Sequence, residues 1–242
     1  WYPDTEKWRV NLSFILLIFA IVGVLKETLP GKKYWLWFAA AFPFIAAWLL
    51  LGGLGLQPVE TSKLGGILLT IIIGVTGISF SLPIGIVLAL GRRSNMPALK
   101  TVCVLFIEFI RGVPLITLLF VASTMLTYFL PPGSTFDLLM RVLIMVTLFS
   151  SAYIAEVVRG GLQGLPPGQY EAADSLGLTY WKAHRLIILP QALKISIPGI
   201  VNTFIGLFKD TTLVLIIGMM DIVGLGRARL NDPYWLGLAG EL

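Results

Sequence analysis

The chain has 242 residues, of which 57% are hydrophobic and 13% are charged, with a formal net charge of +5. Soluble globular chains are roughly 45–50% apolar and about 25% charged, so this composition excludes an ordinary soluble domain and a disordered protein and favours a membrane protein. The single cysteine and single histidine exclude a disulfide framework, a zinc cluster and a histidine-based metal site. Because the sequence starts at Trp1 and stops at Leu242 within a pattern, we expect it to be a piece of a longer protein.

Apolar stretches long enough to cross a bilayer recur along the chain. A spanning helix needs about 20 residues. Three stretches are free of charges: 34–59, 64–91 and 112–136. Three others are shorter or carry a charge: 10–25, 142–158 and 186–220. The sequence therefore predicts an all-α membrane protein with about six transmembrane helices.

The loop charges predict the orientation of these helices. Lysine and arginine are concentrated in the loops 26–33, 91–100 and 159–194, whereas the alternate loops 57–63 and 131–137 hold one lysine between them. Positive residues are retained in the cytoplasm, so the first three loops are assigned to the inside. This places Trp1 outside and requires a further span upstream in the full-length protein. Three arginines fall on the outer side and count against the assignment: Arg141, Arg227 and Arg229.

The cytoplasmic segment 159–191 is too long for a turn and too polar for lipid. Residues 169–176 predict a short helix, and Gly177 suits the left-handed residue that ends a helix. Thr179 can cap a second helix, which Pro190 would close. We expect two short helices that form a compact cytoplasmic projection, called here the knob (residues 169–190).

The composition of the knob favours a docking surface. Ala172 and Ala173 permit close approach by a partner, and Glu171 and Asp174 offer acceptors to its cations. The alternative is an amphipathic connector lying on the membrane surface, and this remains open from the residues alone. A DNA-binding helix-turn-helix also has a central glycine, but a tether between two membrane spans argues against that interpretation.

The residues of the knob resemble a known motif. Glu171-Ala172-Ala173, followed by Gly177 and Ile188-Leu189-Pro190, is similar to the EAA motif of permease subunits in ABC importers. Three further blocks resemble the polar amino-acid uptake branch of that family: 109–115 (FIRGVPL), 153–161 (YIAEVVRGG) and 208–213 (FKDTTL). The blocks cover roughly 64–221, and the extra spans before residue 64 resemble the permeases of the general L-amino-acid system.

The resemblance implies a type I ABC importer permease fold. Residues 1–63 would be accessory transmembrane helices and 64–242 the permease core, with its final helix missing from the sequence. The chain would be a multi-pass protein of the bacterial inner membrane that forms a translocation path for L-amino acids with a second permease, preferably a homologue in a heterodimer. A homodimer of ATPase subunits would dock on the knobs, and a periplasmic binding protein would deliver the amino acid.

The same resemblance implies that the chain is a transport subunit and no enzyme, without catalytic residues or a cofactor of its own. It contains no GxxxxGK[ST] loop, so ATP and Mg²⁺ would be bound by the ATPase partner. The knob residues that would couple to this ATPase are Glu171, Ala172, Ala173, Asp174, Ser175, Leu176, Gly177, Trp181, Arg185, Leu189 and Pro190.

Charged residues within or beside the spans are the next candidates, because a charge in a membrane is costly and is a functional hypothesis by default. Glu108 and Arg111, like Glu156 and Arg159, are three residues apart and can meet on one helix face. Near the inner ends of their spans, they suit structural pairing or contact with the knob. Glu156 is also a candidate for the substrate path.

Lys209 and Asp210 divide the last apolar region near its mid-depth, with Thr211 after them and Asn202 about two turns before. A local break there would be tolerated only where it lines a cavity or packs against protein. Such groups could match the carboxylate and ammonium of an amino acid, or they could form a salt bridge that holds two permeases together. Further candidates for the path are Ser150 and Ser151, although membrane-helix hydroxyls more often bond to their own backbone or pack between helices.

Two other classes of protein fit the sequence less well. A membrane enzyme lacks support, because the sequence has no histidine cluster, no GxSxG and no suitably placed carboxylate pair. A self-contained secondary transporter or channel needs coupling carboxylates at mid-depth or an inverted repeat. It stays the alternative, although it gives the knob no role.

Overall fold

The computed structural model describes residues 2–26, 29–53, 55–125, 128 and 136–230. In chain order, its α-helices are α1 (Lys7–Leu25), α2 (Lys32–Leu51), α3 (Gly66–Arg92), α4 (Pro97–Gly112), α5 (Leu115–Phe120), α6 (Leu138–Gln163), α7 (Pro167–Ser175), α8 (Tyr180–Ala183), α9 (Leu189–Asp210) and α10 (Ile222–Leu230). The predicted all-α fold is confirmed.

The number of spans agrees with the prediction. In the described part of the chain, five helical segments are long and apolar enough to cross a membrane, and α4 with α5 makes a sixth if this bent pair is one span. The five segments are Asp4–Leu25, Lys32–Leu51, Gly66–Arg92, Leu138–Gln163 and Tyr180–Ile217.

The predicted span 112–136 is corrected by the structure. The helical segment begins much earlier, at Pro97, and bends by 99° between Gly112 and Leu115. Pro114 explains the bend, because it lacks an N–H and disfavours helical geometry at the preceding residue. Val113 is accordingly extended, with φ −111° and ψ 131°. Residues 126–127 and 129–135 of the predicted stretch lie outside the described residues.

The centre of the bundle is the pair α3 and α6, which pack against each other along their length, with α9 against α6 and α4 across both. Small residues allow this close approach, as is usual between membrane helices. A Cβ atom at Gly85 of α3 would lie 2.6 Å from Cγ2 of Ile154 and 3.0 Å from the carbonyl oxygen of Ser151, both on α6. The glycines of α3 therefore set the distance between the two central helices.

Two apolar clusters divide the core by depth. One, at the end where α3 and α6 begin and are close to α10, includes Leu69, Ile73, Val142 and Val214. The other, at the end where α3 and α6 finish, includes Ala89, Ile107, Ile154, Val158 and Ile188. By the loop charges, we call these the outer and the inner end.

The α1–α2 hairpin packs mainly against itself and makes few contacts with α3. Two hydrogen bonds at its outer end join its own segments and the loop that leads to α3. The hydroxyl of Tyr2 donates to the carbonyl of Leu50 at 3.0 Å, and Nη1 of the buried Arg9 donates to the carbonyl of Gln57 at 2.8 Å. Leu50 also belongs to the outer apolar cluster, and further along Phe44 of α2 contacts Phe80 of α3 with ring centroids 5.7 Å apart.

Arg141, which counted against the predicted orientation, is not a loop charge. It is only 9% exposed, and it donates from Nε to the carbonyl of Phe136 at 2.8 Å and from Nη1 to the carbonyl of Ser123 at 2.9 Å. A buried arginine that bonds to backbone carbonyls has a structural role. It therefore does not count among the loop charges that predict the orientation of the helices.

The prediction that Pro190 closes a second helix of the knob is wrong. The helical segment continues from Tyr180 to Ile217, and Pro190 lies in the first turn of α9. A π-helical turn, His184–Ile188, precedes it. Proline in a helix lacks a donor and clashes with the carbonyl four residues before, and the irregular turn at these positions accommodates both effects.

Candidate functional site

The knob begins with α7, a short helix that ends in a rigid glycine turn. Gly177 has a left-handed φ of 65°, as predicted. Its N–H donates to the carbonyl of Asp174 at 2.9 Å, and the N–H of Leu178 donates to the carbonyl of Ala173 at 3.2 Å. This pair of bonds is a Schellman motif, which satisfies the last carbonyls of a helix and fixes the direction of the chain beyond it.

The surface of the knob combines exposed apolar and acidic side chains. Leu176 and Trp181 are each 72% exposed, and Glu171 and Asp174 are exposed beside them in sequence. Ala173 in contrast is buried, so α7 packs through its small residue. Exposed apolar groups of this size, bordered by charges, are typical of a surface that a partner covers.

The remaining coupling candidates divide between the tip and the base of the knob. Ala172, Ser175 and Arg185 are exposed, and the Ser175 hydroxyl donates to the carbonyl of Glu171 at 2.8 Å within α7. Leu189 and Pro190 instead start the long helix α9. The structure thus brings most of the predicted residues to one projection and places the last two where the knob joins the bundle.

A hydrogen bond attaches α7 to the start of α9, and ring contacts stabilise the knob internally. Nε2 of Gln191 in α9 donates to Oε1 of Gln169 in α7 at 2.9 Å. The rings of Tyr180 and His184 lie 3.9 Å apart between centroids. A cleft of about 220 Å³ lies between the knob and the end of α3, lined in part by Arg93, Tyr170, Asp174 and His184.

Near the inner end, five charged side chains from α3, α4 and α6 form one cluster. Oε2 of Glu156 lies 3.3 Å from Nη1 of Arg92 and 3.7 Å from Nη1 of Arg111, and its other oxygen pairs with Arg159. Arg92 also reaches Oε1 of Glu108 at 2.8 Å. Glu156 is therefore the anion on which arginines of three helices converge.

The expected pairing of Glu108 with Arg111 is not the one that the structure shows. Each of the two turns to another helix, Glu108 to Arg92 and Arg111 to Glu156. The other expected pair, Glu156 with Arg159, is present. The i,i+3 spacing makes a pair possible, but Arg92 at the end of α3 offers a tertiary partner that the spacing within α4 does not reveal.

Lys209 and Asp210 lie where α9 ends and a 3₁₀ segment, Thr211–Ile217, begins. Lys209 is exposed and Asp210 is half-buried, and neither forms an ion pair with any residue that the structure describes. Asn202, two turns before Lys209, is exposed as well. Thr211 is buried, and its hydroxyl donates to the carbonyl of Phe208 at 2.8 Å.

Ser150 and Ser151 do not lie on an accessible path in this conformation. Their exposed fractions are 2% and 0%. The Ser151 hydroxyl donates to the carbonyl of Leu148 in its own helix at 2.7 Å. Ser151 lies at the contact with α3, where a Cβ atom at Gly85 would stand 3.0 Å from its carbonyl oxygen.

Sequence reasoning missed three residues that the structure places in the site: Arg92, Arg93 and Tyr170. The charge pattern identifies the two arginines only as loop charges that orient the helix, and Tyr170 lies at an ordinary position of the predicted short helix. The end of α3 meets the end of α6 and the knob only after the bundle has packed. The sole signal in the sequence was two adjacent arginines directly after an apolar span.

Comparisons with known proteins agree with this geometry. Residues 81–239 match the family model described as binding-protein-dependent transport system inner membrane component. The chain is 52% identical over 242 residues to the inner membrane amino-acid ABC transporter permease protein YhdY of Escherichia coli (strain K12), covering 99% of this chain and 66% of that protein. It is 46% identical over 300 residues to the glutamate/glutamine/aspartate/asparagine transport system permease protein BztC of Rhodobacter capsulatus, covering 99% of this chain and 69% of that protein.

The chain thus spans about two thirds of the length of these relatives. Among solved structures, an amino acid ABC transporter with histidines matches with a TM-score of 0.62 at 32% identity, over 70% of this chain and 78% of that one. The inward-facing MetNI methionine ABC transporter matches with a TM-score of 0.54 at 20% identity, over 71% of this chain and 80% of that one, which shows the fold alone.

Proposed function

Because the chain belongs to the family of binding-protein-dependent transport system inner membrane components, we propose that it is the permease subunit of an ATP-driven importer of amino acids. The observation that carries the proposal is the knob, where the glycine turn after α7 separates two exposed apolar side chains, Leu176 and Trp181, each 72% exposed. The exposed carboxylates Glu171 and Asp174 lie on α7 itself. Amino acids as substrates are supported by the names of the two relatives. The protein works in this proposal as a multi-pass subunit of the bacterial inner membrane.

The partners follow from the same proposal. A homodimer of ATPase subunits, which binds ATP and Mg²⁺, docks on the knob and on that of a second permease, preferably a homologue. A periplasmic binding protein delivers the amino acid at the outer end. The permease pair is then a two-state gate, which nucleotide and the loaded binding protein bias from opposite sides of the membrane.

Coupling through the knob is tested with the full complex in proteoliposomes. ATP-dependent amino-acid uptake and the amount of ATPase that co-purifies are measured for Glu171→Lys and Trp181→Asp. The matched control is Lys33→Glu, a charge reversal at an exposed residue in the first turn of α2. We expect both knob variants to lose at least tenfold in uptake and to release the ATPase, while the control retains both.

Two results would contradict this proposal. If both knob variants keep the ATPase and transport normally, the knob is not the docking surface. If uptake persists in vesicles without ATPase and follows an ion gradient, the chain is a self-contained secondary transporter or channel, the alternative function.

Lys209 and Asp210 carry the second part of the proposal. With no ion-pair partner among the described residues, these side chains are available to something outside the chain, either the ammonium and carboxylate of a passing amino acid or the second permease. Lys209→Ala and Asp210→Asn separate the two roles. A substrate contact predicts a raised KM for uptake with an intact permease pair, whereas a subunit bridge predicts dissociation of the pair in detergent.

A further inference from the structure

A long apolar cavity lies between the α1–α2 hairpin and the core. Its volume is about 780 Å³, within the range of roughly 300–1,000 Å³ that encloses small ligands in other proteins. One wall is a single face of α3, whose residues recur at i, i+3, i+4 and i+7-type intervals: Leu68, Ile72, Val75, Thr76, Phe80 and Ile84. Leu68 and Ile84 are 16 residues apart, about 24 Å along the helix axis, so the cavity is long and narrow.

The opposite wall is formed by α1 and α2, and α6 closes the third side. Ala46 and Ala47 of α2 line it with small side chains, and Phe14 of α1 lines it with a ring. Phe44 and Phe80 meet across it edge to face, with ring centroids 5.7 Å apart. Apart from this ring contact, α2 makes few contacts with α3.

At this depth the cavity is surrounded by the hydrocarbon of the bilayer. The hydrocarbon core of a bilayer is about 30 Å thick, and the spans that surround the cavity lie within it. Water gains no hydrogen bonds from such walls, and an empty cavity forfeits their dispersion contacts. A flexible hydrocarbon chain matches a space that is this long, narrow and apolar.

The outer mouth of the cavity is acidic. Glu60, Thr61 and Asp137 line it, and the Thr61 hydroxyl donates to Oδ2 of Asp137. Neither carboxylate forms an ion pair within the described part of the chain. Two carboxylates without an ion-pair partner, at the boundary of the hydrocarbon core, attract an ammonium group. The exposed Lys63 lies on the same turn, where its ammonium group can pair with the phosphate of a headgroup.

We propose that the cavity is a binding site for one phospholipid of the outer leaflet that carries an ammonium headgroup, such as phosphatidylethanolamine. Its acyl chain fills the space between the hairpin and α3, and its headgroup lies at Glu60 and Asp137. The lipid then packs against both the α1–α2 hairpin and the core. This inference does not depend on the transport function.

The site is tested on the full-length protein in its complex, exchanged into lipid-free detergent and analysed for retained phospholipid by mass spectrometry. The double variant Ala46→Leu/Ala47→Leu fills the cavity from α2. The control is Ala40→Leu, an exposed position of the same helix. We expect one phospholipid per chain in the wild type and in the control, and at least a fivefold loss in the double variant, with unchanged melting temperatures.

The headgroup is tested by competition between phosphatidylethanolamine and phosphatidylglycerol during reconstitution. The wild type should retain the ethanolamine lipid preferentially, and Glu60→Gln should lose this preference while it still retains one lipid. Asp137 is left intact because its Oδ1 also caps α6 at the N–H of Met140. Equal lipid retention by the wild type and the double variant, no retained lipid in the wild type, or a preference for the anionic lipid would each overturn the proposal.

Discussion

Arg93, directly after the last residue of α3, donates a hydrogen bond of 3.2 Å from Nη1 to the hydroxyl of Tyr170 in the knob. The guanidinium carbon also lies 5.6 Å from the centroid of the Tyr170 ring, within the range of a cation–π contact. The same hydroxyl donates to the carbonyl of Leu162, near the end of α6, at 3.2 Å. One tyrosine therefore connects the knob to two helices of the bundle.

This connection predicts that Tyr170→Phe weakens coupling without releasing the ATPase. The variant keeps the ring and the exposed docking surface but loses both hydrogen bonds, which are worth about 1 kcal/mol each. We expect ATP-dependent uptake to fall about fivefold while the ATPase still co-purifies and hydrolyses ATP. Arg93→Gln should show a similar loss. Normal uptake by both variants would mean that movement of the knob reaches the bundle through the backbone alone.

The cluster around Glu156 predicts a sharp difference between two similar substitutions. Glu156→Gln leaves Arg92, Arg111 and Arg159 without their shared anion, and breaking a largely desolvated pair costs about 3–5 kcal/mol, less at a site that keeps some exposure. Its side chain is 22% exposed, so we expect a loss of roughly 2 kcal/mol in the free energy of unfolding. A clearly lowered apparent melting temperature in detergent is the measurement.

Glu108→Gln is the matched control for this prediction. Its side chain is 54% exposed and has one arginine partner, so its removal should cost less than about 1 kcal/mol. Equal destabilisation by the two variants would show that Glu156 is not the centre of the cluster.

Gly177 and Gly168 offer a second matched pair of substitutions, within α7 and its turn. Both Gly177 and Gly168 have open space where a Cβ would stand, but only Gly177 has a positive φ, 65°. Gly177→Ala should therefore cost about 1 kcal/mol through backbone strain alone, and it should reduce uptake and ATPase retention. Gly168→Ala should change neither. A defect in both would indicate that the ATPase contacts the whole of α7 closely rather than depending on the direction of the turn.

The sequence predicts the local features of this molecule well, because they depend on neighbouring residues. The apolar lengths predict the spans, and Gly177 predicts the turn that its own φ requires. The bend after Gly112 and the continuous helix through Pro190 were missed, since a proline can end a helix, bend it or be absorbed by an irregular turn, and the choice depends on packing. Arg92 and Tyr170 were missed for the same reason: their partners belong to other helices.

The adjacent glycines Gly160 and Gly161 test the packing of α6 against α9. A Cβ at Gly161 would overlap the hydroxyl of Ser196 and lie 2.5 Å from the carbonyl oxygen of Ala192, whereas at Gly160 nothing lies within 4 Å. The Ala192 carbonyl belongs to the helix backbone, so it can yield only if α9 moves as a whole.

Gly161→Ala should therefore lower the free energy of unfolding by about 1–3 kcal/mol, the usual cost of overpacking. Gly160→Ala should be neutral or slightly stabilising, because alanine favours a helix by up to about 1 kcal/mol over glycine. Thermal unfolding of both variants in the same detergent measures the difference. Since α9 continues directly from the knob, Gly161→Ala should also reduce ATP-dependent uptake while Gly160→Ala preserves it. A stable, fully active Gly161→Ala variant would show that α6 and α9 separate freely, and that their close crossing is not needed to carry movement from the knob to Lys209 and Asp210.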